Sequence, residues 1–250
     1  AEEVHHYASA YATWVLYLAS KSGHPVPEDA LKNALDDLER RIAGMTLASV
    51  PIDWGYYDGS RLAIAVHVLA EAGRDVSSRT ADLFTRRQSL PLYARAFLLM
   101  AIHKQNPRSP DAATLPAELR NNLQETPATA HTAEASIYNL DEFFHSDGRS
   151  DAILLMALMR VEPDHPVVLK LARGLLERRI GGAWRNTQEN AYALVALADY
   201  ARHYEADVPD FTARAWVAQR SVLDIEFKGR EFVTRSATTD MQDIVGLAPN

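Results

Sequence analysis

An acidic cluster is the first group of residues in this sequence that could do chemistry. Asp36, Asp37 and Glu39 fall within four positions, and carboxylates grouped in this way can hold Mg²⁺. Leu35 and Leu38 mark the apolar side of the same segment, which turns both aspartates outward on a helix. The pattern therefore favours a solvated helix face over a metal site.

Histidines are the second group of residues that could do chemistry. His5 and His6 could supply a base or an acyl-accepting imidazole, although a terminal pair before a first helix is more typical of a solvent-exposed segment. His67 and His103 lie within apolar stretches. We predict that these two are core histidines with satisfied ring nitrogens and not ligands.

An aromatic and acidic segment, Asp53–Gly59, could bind substrate groups, but its Trp and Tyr rings favour a turn packed on neighbouring helices. The sequence contains no H-E-x-x-H, G-x-S-x-G or glycine-rich phosphate loop. It also contains no cysteine, so it has no thiolate nucleophile, disulfide or cysteine-ligated zinc. We therefore expect no catalytic, cofactor-binding or metal residues in this chain.

Composition narrows the classes of partner. The chain has 26 basic and 33 acidic side chains and a net charge of −7, which disfavours a nucleic-acid binder. The longest uncharged stretch, Tyr7–Ser20, is too short and too polar to span a membrane. A hydrophobic fraction of 47% is ordinary for a folded domain. Because the sequence opens at Ala1 without a methionine or a secretory signal, we expect a piece of a longer protein.

Apolar spacing predicts a helical hairpin at the start of the chain. Tyr7–Leu18 repeats apolar residues every three to four positions and stops at Ser22–Pro25. Pro27 then begins a second helix, in which Leu31–Ile42 forms one apolar stripe.

The same pattern returns along the chain, and repetition of this kind decides the architecture. The first helix of each pair is rich in alanine, which allows close packing on an inner ring, whereas the second has one apolar and one charged face. The sequence therefore predicts an α/α toroid, that is, a partial ring of helical hairpins. The predicted segments are Ser60–Ala72 and a helix capped near Ser77 or Ser78, Leu92–His103 and a helix with Leu115, Leu119 and Leu123, Ser150–Arg160 and a helix with Val168–Leu176, and Thr187–Tyr204.

Beyond Tyr204 the apolar period changes from helical to alternating. Phe211–Val217 and the stretch containing Ile225 and Phe227 predict strands, and Lys228–Arg230 predicts a hairpin turn before a return strand, Glu231–Arg235. We place the domain boundary near Val208–Asp210, with a toroid at residues 1–208 and strands of an adjoining β-domain at 209–250.

Several segments of the sequence carry a resemblance to a known family: Tyr11–Ala12, Gly23, Val26–Pro27, Leu90–Ala96, Phe144–Ala152, Leu175–Leu176 and Gly182–Leu194. They resemble the thioester-containing domain of the bacterial alpha-2-macroglobulins. The resemblance covers nearly the whole chain, and its most specific part is Trp184–Leu194.

The resemblance implies an α/α toroid inserted into a β-domain. It also implies a large secreted or lipid-anchored periplasmic protein, in which cleavage of a bait segment triggers a rearrangement and an internal thioester captures the attacking protease. The family builds this thioester from a Cys-x-Glu-Gln motif, which this sequence lacks. Either the chain begins downstream of the motif or the parent protein belongs to a branch that lost it.

Gln188–Asn190 is not a remnant of the thioester motif, because a helix start explains it. We predict a turn at Gly181–Gly182, a helix capped by Thr187, and a Trp184 that packs on the ring and binds no ligand.

Two classes of function follow. The favoured one is a non-enzymatic toroid domain of a broad-spectrum protease-trapping inhibitor, which shields the thioester region and packs on adjoining β-domains of the same chain. Its partners would be proteases, met through the full-length parent, with no nucleic acid and no membrane contact by this part. The alternative is an α/α-toroid enzyme acting on a glycan or an isoprenoid with ring-mouth carboxylates such as Asp53 and Asp58.

Overall fold

A computed structural model describes residues 6–45, 58–132, 146–217 and 220–229, together with the single positions 236, 238, 240 and 241. The chain forms two compact units, residues 1–199 and 200–250. In the described residues the helices are α1 (His6–Lys21), α2 (Glu28–Ala43), α3 (Asp58–Glu71), α4 (Ser77–Thr85), α5 (Leu92–Gln105), α6 (Pro110–Arg120), α7 (Asp147–Val161), α8 (Pro166–Glu177) and α9 (Thr187–Tyr204). The strands are β1 (Leu123–Glu125), β2 (Ala130–Thr132), β3 (Asp210–Val217) and β4 (Arg220–Lys228).

Inner and outer helices alternate along the first unit, as predicted. Helix α3 packs between α1 and α5, and α5 packs between α3 and α7. Helices α2, α4, α6 and α8 lie against the outside of these inner helices. Every residue from Leu62 to Ala70 in α3 is buried, whereas α2 buries only one stripe, Leu35, Leu38 and Ile42. The predicted α/α toroid of helical hairpins is confirmed.

Aromatic rings from several inner helices pack on one another. Tyr192, in the second turn of α9, stacks on Trp14 of α1 with ring centres 5.1 Å apart. It also lies 6.2 Å from Phe97 of α5, whose ring is in turn 5.2 Å from His67 of α3. These contacts connect α1, α3, α5 and α9.

Two turns show the repeat at atomic detail. Gly23 and Gly73 follow α1 and α3 with φ angles of 79° and 81°, which glycine adopts without strain. The next residue in each turn donates its backbone N–H to a carbonyl five positions back, His24 to Ala19 at 3.0 Å and Arg74 to Leu69 at 2.9 Å. Both helices therefore end in the same Schellman-type cap.

The predicted extension of α6 to Leu123 is wrong. Helix α6 ends at Arg120, and Leu123 begins strand β1, which pairs antiparallel with β2. Leu115 and Leu119 are buried as expected, whereas Leu123 is only half-buried. Leu115, Leu119 and Leu123 keep a spacing of four residues, although the last of them lies in a hairpin. The apolar pattern alone therefore could not distinguish this hairpin from a further turn of α6.

The second unit contains an antiparallel hairpin. Phe211 of β3 pairs with Phe227 of β4, and their rings stack with centres 5.1 Å apart. The pairing shifts between Ala215 and Trp216, where β4 has an extra residue, Val222. Gly229 follows β4 with φ 79° and donates to the carbonyl of Pro209 at 2.8 Å. The predicted return strand, Glu231–Arg235, lies outside the described residues.

Candidate functional site at the N-terminal ends of the inner helices

Two of the segments that carry the sequence resemblance meet in the first turns of the inner helices. Nη1 of Arg149, in α7, donates to the hydroxyl of Tyr7, in α1, at 3.3 Å. The Tyr7 hydroxyl donates to Oε1 of Gln188 at 3.2 Å and lies 3.3 Å from the Tyr192 hydroxyl. The described part of the first segment, 146–152, thus reaches the second segment, 182–194, through one tyrosine.

Arg149 is the centre of this arrangement and is 0% exposed. Its guanidinium lies 4.3 Å from the ring centre of Tyr93 in α5 and 5.7 Å from that of Tyr7. Burial works against the charged form, but the phenols of Tyr7, Tyr93 and Tyr192 outweigh it and raise the pKa of Arg149. Aromatic faces stabilise a buried cation in this way. Because no part of Arg149 reaches solvent, its contacts are with the side chains of the neighbouring inner helices.

Ser60 ties α3 to the same end. The Tyr93 hydroxyl donates to Oγ of Ser60 at 3.0 Å, and both groups are buried. Ser146 caps α7 by accepting the backbone N–H of Arg149 at 3.3 Å. The first turns of α1, α3, α5, α7 and α9 are therefore connected by tyrosine, serine and arginine side chains.

The cap of α9 differs from the prediction. Oδ1 of Asn186 accepts the backbone N–H of Glu189 at 2.9 Å, which makes Asn186 the N-cap, and Thr187 is the exposed first residue of the helix. Oε2 of Glu189 in turn accepts the N–H of Arg185 at 2.9 Å, and Oδ1 of Asn190 accepts that of Trp184 at 3.2 Å. The prediction was wrong by one residue, since Asn and Thr are both good N-caps and adjacent here. The Asn-Thr-Gln-Glu-Asn segment is thus a helix start, in agreement with the structural interpretation.

Trp184 packs on the ring, as predicted. It is buried, its Nε1 donates to the carbonyl of Leu175 at 2.8 Å, and Arg179 lies over its ring at 5.4 Å. Gly181 and Gly182 form the predicted turn with φ angles of 60° and 90°.

Carboxylates gather beside this helix start. Asp151 is fully buried and accepts from the N–H and the hydroxyl of Thr132, at 2.6 and 2.7 Å, and from Nε of Arg178 at 2.5 Å. Burial raises the pKa of Asp147, and the charges of Asp151 and Glu189 add to this, although Arg178 opposes it. Asp147 and Glu189 line an open cavity of about 410 Å³ together with Trp184 and Arg178.

Two glycines allow the close packing around these carboxylates. A Cβ at Gly148 would lie 3.0 Å from Cδ of Glu189. A Cβ at Gly174, in α8, would lie 2.4 Å from the carbonyl oxygen of Ala130 and 2.7 Å from the His131 ring. The hairpin β1–β2 therefore reaches Asp151 only because α8 has no side chain at position 174.

The opposite end of the inner helices contains the histidines singled out in the sequence. His67 is in the core, as expected, but the prediction of satisfied nitrogens is wrong, because neither ring nitrogen has a hydrogen-bond partner among the described residues. His103 is half-buried, and its Nδ1 also lacks a partner there. Sequence spacing placed both residues on inner helices but could not show which polar groups would face them.

The remaining candidates from the sequence do not converge on a site. Asp36 accepts from Lys32 and Arg74, and Arg74 also donates to Glu39. Asp37 pairs with Arg40 and Arg41. Asp58 begins α3 and lies 3.5 Å from Arg61. Asp53 and His5 lie outside the described residues, as does the side chain of His6.

Within the described part of the chain, no three His, Asp or Glu side chains are grouped so that they could hold a metal ion. In the same residues, no helix has the length and apolar character needed to cross a membrane.

Curated proteins share sequence with this chain over limited stretches. The alpha-2-macroglobulin homolog of Nostoc sp. is 24% identical over 165 residues, which is 66% of this chain and 8% of that protein. Circularly permutated Ras protein 2 of Dictyostelium discoideum is 27% identical over 103 residues, which is 41% of this chain and 3% of that protein. No protein-family model matches the chain. The chain thus spans only a small part of the length of either relative.

Solved structures of bacterial alpha-2-macroglobulins share its fold. Salmonella alpha-2-macroglobulin reacted with methylamine superposes with a TM-score of 0.63 at 19% identity, over 90% of this chain and 14% of that one. Trypsin-activated Escherichia coli alpha-2-macroglobulin superposes with a TM-score of 0.62 at 20% identity, over 90% of this chain and 14% of that one. The native conformation of the Escherichia coli protein superposes with a TM-score of 0.61 at 19% identity, over 89% of this chain and 13% of that one. The predicted resemblance to the bacterial alpha-2-macroglobulins is confirmed.

Proposed function

We propose that this chain is the toroid domain of an alpha-2-macroglobulin-like protein that traps proteases, and that the toroid itself has no catalytic role. The observation that carries this proposal is the shared fold over 90% of the chain, together with the sequence match to the Nostoc homolog. One of the related structures is a trypsin-activated protein and another an elastase-activated one, which supports proteases as the partners of the parent protein.

The toroid supplies a rigid body in this proposal. Its inner helices are buried on all sides over long stretches, such as Leu62–Ala70, and aromatic rings from several of them pack on one another. A body of this kind keeps its surface when neighbouring domains move, so it can shield a reactive group until they rearrange. We propose residues 1–208 as the toroid and 209–250 as strands of an adjoining β-domain, in a periplasmic or secreted parent protein that is either lipid-anchored or free.

The chemistry of capture would lie outside this chain. A thioester needs a thiol, and the sequence has no cysteine. A parent protein with a Cys-x-Glu-Gln motif upstream would capture proteases covalently, and one without it would enclose them by rearrangement alone.

The test is protease inhibition by the longer protein that contains this chain. A trap encloses a protease whose active site still works, so trypsin mixed with the parent protein should lose activity on casein but keep most of its activity on a small chromogenic peptide. The matched control is the same protein with an uncleavable bait segment. Equal loss on both substrates would indicate an ordinary active-site inhibitor, and no loss on casein would contradict the proposal.

A further inference from the structure

His67 lies in the last turns of α3, where the C-terminal ends of the inner helices come together. It is 0% exposed, and its ring packs on Phe97 with centres 5.2 Å apart. Nδ1 and Nε2 both lack a hydrogen-bond partner among the described residues. A buried polar group without a partner is costly, so a core position filled by a titratable ring in this way calls for an explanation.

The charged groups at this end disfavour a protonated His67, because Arg160 already places one positive charge there. Nη1 of Arg160, in α7, donates to Oε1 of Glu71 at 2.6 Å, so this carboxylate is already engaged. From α1, the Tyr17 hydroxyl donates to the Glu71 backbone carbonyl at 2.7 Å. In α5, the titratable group at this end is His103, on which the charge of the same Arg160 acts.

Among the described residues of the other helices packed on α3, none has a charge that acts on the His67 ring. The acids of α2, Asp36 and Glu39, are bound by Arg74 beyond the end of α3. Helix α4 buries the neutral side chains of Thr80 and Leu83. Burial first, and the charge of Arg160 second, hold the pKa of His67 well below its ordinary value of 6.5. The same two causes lower the pKa of His103.

We propose that His67 makes the packing of α3 on α5 sensitive to acid: the neutral imidazole packs on Phe97 in the closed state, and its protonation releases the C-terminal ends of these helices. The closed state favours the neutral ring, because a charged imidazolium would lie in the core near the charge of Arg160 without a hydrogen-bond acceptor among the described residues. Opening this end gives the ring water and lets it take up a proton.

The direction of the pH dependence follows from the lowered pKa. Above about pH 6.5 the ring is neutral in both states, and the closed state has its full stability. As the pH falls below that value, the open state binds a proton that the closed state does not. The open population therefore rises, with a limit of about tenfold per pH unit for each histidine involved.

Native-state hydrogen exchange between pH 7.5 and 5.0 tests the proposal, with rates corrected for the intrinsic effect of pH. We expect protection of the amides at 62–70 and 96–102 to fall about thirtyfold in the wild type over this range, which is the effect of one histidine that takes up its proton near pH 6.5 only in the open state. His67→Phe keeps a ring on Phe97 but cannot titrate, so protection in that variant should fall clearly less than in the wild type, with His103 as the remaining titratable ring at this end. His24→Gln, at an exposed position in the turn after α1, is the matched control and should behave as the wild type.

Two results would overturn the proposal. One is His67→Phe losing protection at acid pH as steeply as the wild type. The other is a proton NMR titration of the folded wild type in which the His67 ring takes up its proton near its ordinary value of 6.5. The titration needs no variant, so it decides the matter even if His67→Phe does not fold.

Discussion

The guanidinium of Arg149 lies 4.3 Å from the centre of the Tyr93 ring, and both side chains are buried at the start of the inner helices. A cation in the core is costly unless its surroundings compensate for the lost water. Here the phenols of Tyr7 and Tyr93 do so, one through a hydrogen bond and both through their ring faces. This pair therefore couples α5 to α7 within the toroid.

Arg149→Lys should destabilise the toroid more than Arg149→Met. Lysine keeps the charge in the core but loses the planar group that stacks on Tyr93, which we expect to cost about 2 kcal/mol or more. Methionine removes both the stacking and the desolvation cost, so its loss should be about 1 kcal/mol. Urea unfolding at pH 7 measures both variants. A lysine variant as stable as the wild type would show that the flat guanidinium is not needed.

Asn186→Ala should lower the free energy of unfolding by about 1 kcal/mol, because its Oδ1 caps α9 through the Glu189 N–H. Thr187→Ala is the matched control at the next position, where the side chain is exposed and within the helix, and its effect should stay within about 0.5 kcal/mol. Urea midpoints at constant slope distinguish the two. A larger loss of stability in Thr187→Ala than in Asn186→Ala would show that Thr187 is the N-cap.

The cap of α9 shows how far the sequence could go. Spacing of apolar residues predicted the helices closely, because burial of a stripe every three to four residues is what fixes them. The choice between Asn186 and Thr187 depends on backbone angles of single residues, which composition does not encode. The helix predicted around Leu123 failed for a related reason, since four-residue spacing fits a short hairpin equally well.

Long-range polar contacts were beyond the sequence. Arg149 is one arginine among many, and its burial depends on Tyr7 and Tyr93, which lie far away in the chain. The signal that could have found it is its place in the Phe144–Ala152 segment, in the first turn of an inner helix. His67 was predicted in the core, but its missing partners depend on which side chains α5 and α7 bring to it.

Gly174→Ala should lower the stability of the fold more than a glycine-to-alanine substitution at a position where the new Cβ has space. The new Cβ would lie 2.4 Å from the backbone oxygen of Ala130, and a backbone atom can give way only if β2 moves off α8. We expect a loss of about 1–3 kcal/mol. At Gly44 the nearest atom is 3.7 Å away and φ is −80°, so Gly44→Ala should be neutral or stabilise by about 0.4–1 kcal/mol. Thermal unfolding of both variants is the measurement, and equal melting temperatures would contradict the assigned packing.

The isolated chain should neither inhibit a protease nor react with methylamine. Covalent capture needs an electrophilic acyl group, and without cysteine the chain cannot form a thioester. Enclosure of a protease needs a bait segment and several domains that move around it, which this toroid does not supply on its own. Incubation with methylamine followed by intact-mass measurement should therefore show no added mass, and trypsin or elastase mixed with the chain should keep full activity on casein. A bacterial alpha-2-macroglobulin that reacts with methylamine is the positive control. An added methylamine, or a stoichiometric loss of protease activity, would mean that this chain carries capture chemistry that its side chains do not indicate.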